Sequence, residues 1–180
     1  PANESHIERI LEVTGGVIDQ VVVTHTHQDH SPAVAALKER TGCRVFGWPA
    51  PPGAGQDQTF RADDEPEHGD LIVTEAGLLK VLHTPGHASN HLCFLLVDQK
   101  LLFSGDHIMQ GSTVVINPPD GDMKAYIESL YELLAESIRY IAPAHGFLMG
   151  HPEAVIDFLP MTMFRPPSTA LRHGQPWRIC

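Results

Sequence analysis

The chain has 180 residues, enough for one domain with a buried core. Its formal charge of -10, from 12 basic and 22 acidic residues, argues against a general nucleic-acid or membrane-surface binder. No apolar run is long enough to span a bilayer and no signal-peptide pattern is visible. Cys43, Cys93 and Cys180, an odd set without framework spacing, fit reduced thiols and a cytoplasmic setting.

In chain order, Ser5-His6-Ile7-Glu8 has capping-box form, and Ile7, Ile10 and Leu11 give a helical stripe that Gly15-Gly16 should end. Val17 to Val23 reads as a buried strand by its branched residues. Next comes His25-Thr26-His27-Gln28-Asp29-His30. If the backbone stays extended there, His25, His27 and Asp29 point the same way, and His30 reaches the same place from the turn. Ser31 is the expected cap and Pro32 the first residue of a helix over Ala33 to Arg40. With a strand over Cys43 to Phe46 this makes a βαβ unit and a parallel pair. Residues 47–69, rich in Pro, Gly and acids, read as a loop or a flap over the site.

Leu71–Thr74 with Leu78–Leu82, and Leu92–Val97 with Leu101–Phe103, read as two hairpins. Asp122 should cap a helix through about Arg139, whose broad apolar face is core. Ile141–Ala144 is a short strand, and Glu153–Leu159 a last helix begun by Pro152. The domain is placed at residues 1–159. Residues 160–180, with four prolines, three arginines and no acid, read as an extended tail.

Three more donors stand at strand ends beside glycine: His87 in Thr-Pro-Gly-His, Asp106 in Ser-Gly-Asp and His145 in Pro-Ala-His-Gly. With the first cluster they make a donor set suited to zinc or a similar cation, and large enough for two ions. Thr24, Thr84 and Ser104 are candidate hydrogen-bond partners for the imidazoles. His107 is a candidate substrate contact. His83 and His91 flank His87 and read as buried, hydrogen-bonded rings, with support of the metal ligands as the alternative, and His6, His68, His151 and His173 read as surface.

In these motifs and their order, from about Val17 to His151, the chain resembles the metallo-beta-lactamase superfamily. The stretch from Gly105 to Met123 looks most like its beta-lactamase-like protein 2 branch, which includes endoribonucleases directed at single-stranded RNA. The resemblance implies an α/β (α+β) fold, an αββα sandwich with the site at one sheet edge. It implies His25, His27 and His87 on one metal, Asp29, His30 and His145 on a second, and Asp106 as the bridge. Two zinc ions per chain are expected, with manganese or iron open. His27, where iron-dependent relatives often carry Glu, favours a zinc hydrolase over a redox enzyme.

The implied chemistry is attack of a metal-held hydroxide on phosphorus or carbonyl carbon, with Asp29 and Asp106 as catalytic carboxylates. The expected substrate is single-stranded RNA, another phosphodiester, or a small acyl compound, with no stable binding of duplex nucleic acid and no membrane. Thioester hydrolysis of the glyoxalase II kind and a degenerate, non-catalytic metal-binding domain are the alternatives. Only 24 residues precede the first metal motif, where the family carries several further strands. The expectation is therefore a sandwich lacking its N-terminal strands, with an exposed edge, stable as a homo-oligomer or within a longer polypeptide.

Overall fold

The computed structural model describes residues 1–156. Helix α1 (Glu4–Val13) is capped by Asn3, whose side chain accepts the His6 N–H. The expected capping box is displaced: Ser5 lies inside the helix, and its hydroxyl donates to Asn3 Oδ1 at 2.7 Å. Strand β1 (Gln20–Val22), helix α2 (Val34–Thr41) and strand β2 (Arg44–Phe46) form the expected βαβ unit, with β1 and β2 parallel. The strand is shorter than its apolar run, for Val17 is 70% exposed.

Helix α2 starts two residues after Pro32, with Ala33 as N-cap and no side-chain cap. The reason is Asp57, whose carboxylate takes the buried Ser31 hydroxyl at 2.8 Å. Gly42, at φ 72°, ends the helix, the left-handed position a glycine suits.

The second sheet holds β3 (Leu71–Thr74), β4 (Gly77–His83), β5 (Leu92–Leu96), β6 (Leu101–Gly105), β7 (Tyr140–Pro143) and β8 (Met149–Gly150), in that spatial order. All neighbours are antiparallel except β6 and β7, which α3 (Met123–Leu134) connects. Strand β8 was not expected from the sequence. Helix α3 stops short of Arg139 because Arg139 and Tyr140 already donate to the Lys100 carbonyl, which draws the chain out of the helix and into β7. Residues 152–156 are helical, in keeping with a start at Pro152. The rest of that helix, the boundary at 159 and the 160–180 tail lie outside the described residues.

Four layers result. Ile7 of α1 packs with Ala33 and Leu37, and Val34 of α2 packs with Val21 and Val45 on the outer side of the two-stranded sheet. Phe46, Ile72, Leu79, Val81, Leu92, Phe94 and Leu96 fill the space between the sheets. Tyr126, Leu130 and Leu133 of α3 pack on Leu82, Cys93, Leu95, Leu102 and Ile141, the outer face of the six-stranded sheet. This is an αββα sandwich. Phe103 and Tyr140, which the register places on the inner face with Phe94 and Leu101, stay 39% and 36% exposed. Among the described residues no helix is long and apolar enough to cross a membrane.

Helix α3 carries His87's loop as well as the core. Asp122 accepts from the N–H groups of Lys124 and Ala125, and its own N–H donates to the Gly86 carbonyl at 2.8 Å. Replacing Asp122 by Ala removes the cap and is expected to cost about 1 kcal/mol. For a chain of this size that lowers the melting temperature by roughly 2–4 °C, read by thermal unfolding.

Candidate metal centre

Strands β4 and β6 both run antiparallel to β5, and β7 runs parallel to β6, so their C-terminal ends open on one edge. His87, Asp106 and His145 come just after those ends. The loop after β1 is held beside them by the Leu92 N–H, which donates to the Thr24 carbonyl at 2.7 Å. The expected extended run through Asp29 does not persist. The His30 N–H donates back to the His27 carbonyl at 3.0 Å, and this turn swings Asp29 and His30 to the far side of the cluster.

All seven expected donors converge. The ligand atoms of His25, His27 and His87 lie within 4.8 Å of one another, as do those of Asp29, His30 and His145. Asp106 stands between the groups: its carboxylate is 3.4 Å from Nε2 of both His30 and His145, and 3.6 Å from His87 Nε2.

These residues fit divalent cations. His25 Nε2, His30 Nε2 and Asp106 Oδ1 are buried without a hydrogen-bond partner. Orphaned buried polar atoms are costly, and cations held by these donor groups would satisfy all three. The donor set of five imidazoles and two carboxylates suits zinc and comparable borderline ions. The tautomers agree. His87 Nδ1 is 2.5 Å from the Val115 carbonyl, which can only accept, so Nδ1 carries the proton and the Nε2 lone pair faces the cluster. That lone pair lies 3.0 Å from His27 Nδ1. Thr24 Oγ1 sits 3.1 Å from His25 Nδ1.

Burial, with His91, His30, His27 and His87 around it, holds His25 far below the ordinary imidazole pKa. Burial and then His87 and His30 also lower His27. Both rings are therefore neutral and free to bind metal. Burial alone would raise the Asp106 carboxyl, but the facing His30, His145 and His87 outweigh it and hold the group below the usual carboxylate range.

Beneath the donors lies a relay centred on His91. The Asp106 backbone N–H donates to His91 Nε2 at 3.2 Å. His91 Nδ1 must then carry the ring proton, and it donates to Thr84 Oγ1 at 2.9 Å. The Thr84 hydroxyl in turn donates to Cys93 Sγ at 3.2 Å. Thr84 thus supports Asp106 through His91 rather than a ligand imidazole. Ser104, also expected beside a ligand, donates instead to the Ile108 carbonyl at 2.8 Å. Gly105, at φ 51°, admits the relay, because a Cβ there would lie 2.6 Å from His91 Nε2.

His107 is corrected. Its ring is fully buried under the site, 4.8 Å from Tyr126 and 5.8 Å from His91 between ring centroids, so it is not open to substrate. The backbone after Asp106 turns inward, and burial pushes the ring's pKa down to about 3. His83 is half-buried with Nε2 2.9 Å from the Ser89 carbonyl, while His6, His68 and His151 are exposed as expected. His173 lies outside the described residues.

The 47–69 loop is tied to the site by polar residues that no sequence pattern marked. The Asp57 N–H donates to the Thr26 carbonyl at 2.7 Å, and the Thr26 hydroxyl to Gln56. Burial raises the Asp57 carboxyl, but hydrogen bonds from Thr59 and Ser31 outweigh it, and its pKa falls below the ordinary 3.8. A lowered carboxylate pKa stabilises the fold above its unfolded value, and that contribution disappears as pH falls through the folded value. Asp57→Asn is therefore expected to flatten the loss of melting temperature as pH falls below the ordinary carboxylate range, measured against the parent chain.

An αββα sandwich gathering seven side chains able to bind metal at one sheet edge defines the class of protein. The chain belongs to the metallo-beta-lactamase superfamily, whose sequence profile matches residues 2–145. It is 30% identical over 168 residues to a beta-lactamase-like protein 2 homolog of Drosophila melanogaster, covering 88% of this chain and 55% of that one. A hydroxyacylglutathione hydrolase of Bradyrhizobium sp. is 37% identical over 100 residues, covering 56% and 38%. The structure of TTHA1623 in a di-iron-bound form superposes with a TM-score of 0.68 at 25% identity, covering 93% of this chain and 86% of that one. The chain thus spans about half or less of the length of these curated relatives.

Proposed function

We propose that the chain is the hydrolytic part of an enzyme that cleaves an acyl thioester with the help of two bound zinc-like ions. The observation that carries this reading is the convergence of seven donors with buried, partnerless ligand atoms. In this reading His25, His27 and His87 hold one cation, Asp29, His30 and His145 the other, and Asp106 lies between. Bound divalent cations supply Lewis acidity, acidifying water and polarising the oxygen under attack.

The chain's own residues do the rest. Asp29, with its side chain 55% exposed and an oxygen 3.3 Å from His145 Nε2, is placed to take the proton of the attacking water. His87 keeps its proton on Nδ1 against Val115, so its other nitrogen stays free for metal. His91 fixes the Asp106 peptide from below. Water's oxygen bonds the acyl carbon, the carbon–sulfur bond breaks, and the proton passes to the departing thiolate.

The phosphodiester expectation is less well supported than the acyl one. The pocket beside His27 and His87 is lined by no lysine or arginine among the described residues, and by one carboxylate, Asp120. A phosphate backbone is normally held by cations of the protein. The 37% identity to a hydroxyacylglutathione hydrolase points to thioesters as well.

The test offers metal-loaded protein a glutathione thioester, a pantetheine thioester, a bis-aryl phosphodiester and single-stranded RNA, with zinc, manganese and iron compared. Thioester cleavage that a chelator stops and zinc restores is expected. Cleavage of the phosphodiesters alone would overturn the reading, and no cleavage of any substrate would favour the non-catalytic alternative.

A further inference from the structure

Next to the donors lies a pocket of about 200 Å³, smaller than the roughly 300–1,000 Å³ of typical ligand pockets. His27 and His87 form one side of it, so a group lodged there has its carbonyl within reach of the metal ligands. The other walls are Ala54, Val115, Pro118 and Pro119, which offer methyl and ring carbon, with the uncharged Asn117 and the carboxylate of Asp120.

Asp120 lines the same pocket but has little to offer a substrate. One carboxylate oxygen accepts from Gln56 Nε2 at 2.7 Å and from the Ser89 N–H at 3.2 Å, and the other from the Ser89 hydroxyl at 2.5 Å. Its negative charge remains. A second carboxylate entering this space meets that like charge, and no lysine or arginine among the lining residues offsets it.

The walls are fixed to the site. The Val115 carbonyl accepts from His87, the Gly121 N–H donates to the Asn117 carbonyl at 2.8 Å, and the Asp122 N–H ties the loop to Gly86. The pocket and the His87 ligand therefore keep one geometry.

From this we infer that the pocket receives the acyl chain of the substrate and selects short, uncharged acyl groups against anionic ones. The inference rests on the thioester reading above. It names Val115 and Ala54 as specificity-determining residues, one on each of two loops.

The experiment compares butyryl and succinyl thioesters of one small thiol on the metal-loaded chain. It runs alongside calorimetric binding of the corresponding non-hydrolysable amides. The butyryl compound is expected to show at least a tenfold higher kcat/KM and tighter binding of its amide. Val115→Lys and Ala54→Lys, both at surface loop positions and checked for unchanged melting and metal content, should each raise the succinyl-to-butyryl ratio at least tenfold. Equal use of the two acyl groups, or a ratio that neither lysine variant moves, would overturn the inference. If no thioester turns over, the thioester reading falls, and the order of amide binding still decides whether the pocket excludes a carboxylate.

Discussion

Asp106→Ala is expected to reduce hydrolysis of any substrate by more than about 100-fold, because changes to groups merely supporting a metal ligand already cost 10–100-fold. The Asp106 side chain is 10% exposed and faces Nε2 of His30 and His145 at 3.4 Å and of His87 at 3.6 Å. No other carboxylate is held within that distance of all three rings among the described residues. Without it, bound cations are less neutralised and imidazoles from both donor groups lose their common neighbour. Asp106→Asn keeps the size and leaves the backbone N–H on His91, so it isolates the charge. Metal content should fall in both variants. His6→Ala, at an exposed residue of α1, is the control and should match the parent. An Asp106→Ala protein with parental activity would remove Asp106 from the site.

Gly86→Ala is expected to be the most destabilising single-methyl change at the site. A Cβ at residue 86 would lie 2.4 Å from both Cα and Cβ of Tyr126 and 2.8 Å from its N, at φ 146°. The obstruction is mainly α3 backbone, and Tyr126 is fully buried, so neither side can yield cheaply. Overpacking and backbone strain together point to a loss of about 3 kcal/mol or more. That corresponds to roughly 6–12 °C in melting temperature. Metal content should fall too, because residue 86 carries His87. Gly42→Ala is the comparison: φ is also positive, at 72°, but nothing lies within 4 Å of the added methyl. It should cost only about 1–2 kcal/mol, the strain of a left-handed residue alone. Equal losses in the two variants would show that α3 and the His87 loop are not locked together.

Both expectations rest on features of unequal visibility in the sequence. The seven donors were legible because each sits just past an apolar strand, and a strand end projects the next few side chains onto the sheet edge. The two hairpins were legible from their turns: Glu75-Ala76-Gly77 and Asp98-Gln99-Lys100 separate branched, apolar runs that pair antiparallel. Caps were less so. Ser31 has a capping side chain, but a carboxylate 26 residues away claims its hydroxyl, and no local pattern records that. The same holds for Thr84, whose hydroxyl serves His91 and not a metal ligand. His107 was misplaced because adjacency to Asp106 says nothing about direction. The chain turns after Gly105, and the ring enters the core beside Tyr126. Gln56 and Asp120 look like ordinary loop residues, and only the fold brings them together at 2.7 Å.

The central claim is that the clustered donors hold metal, and elemental analysis of protein purified without chelator tests it most directly. Seven donors arranged in two triads about one carboxylate predict about two divalent ions per chain, removed by chelation and restored by added zinc. A content well below one ion per chain, unrestored by zinc, manganese or iron in a folded protein, would contradict the account.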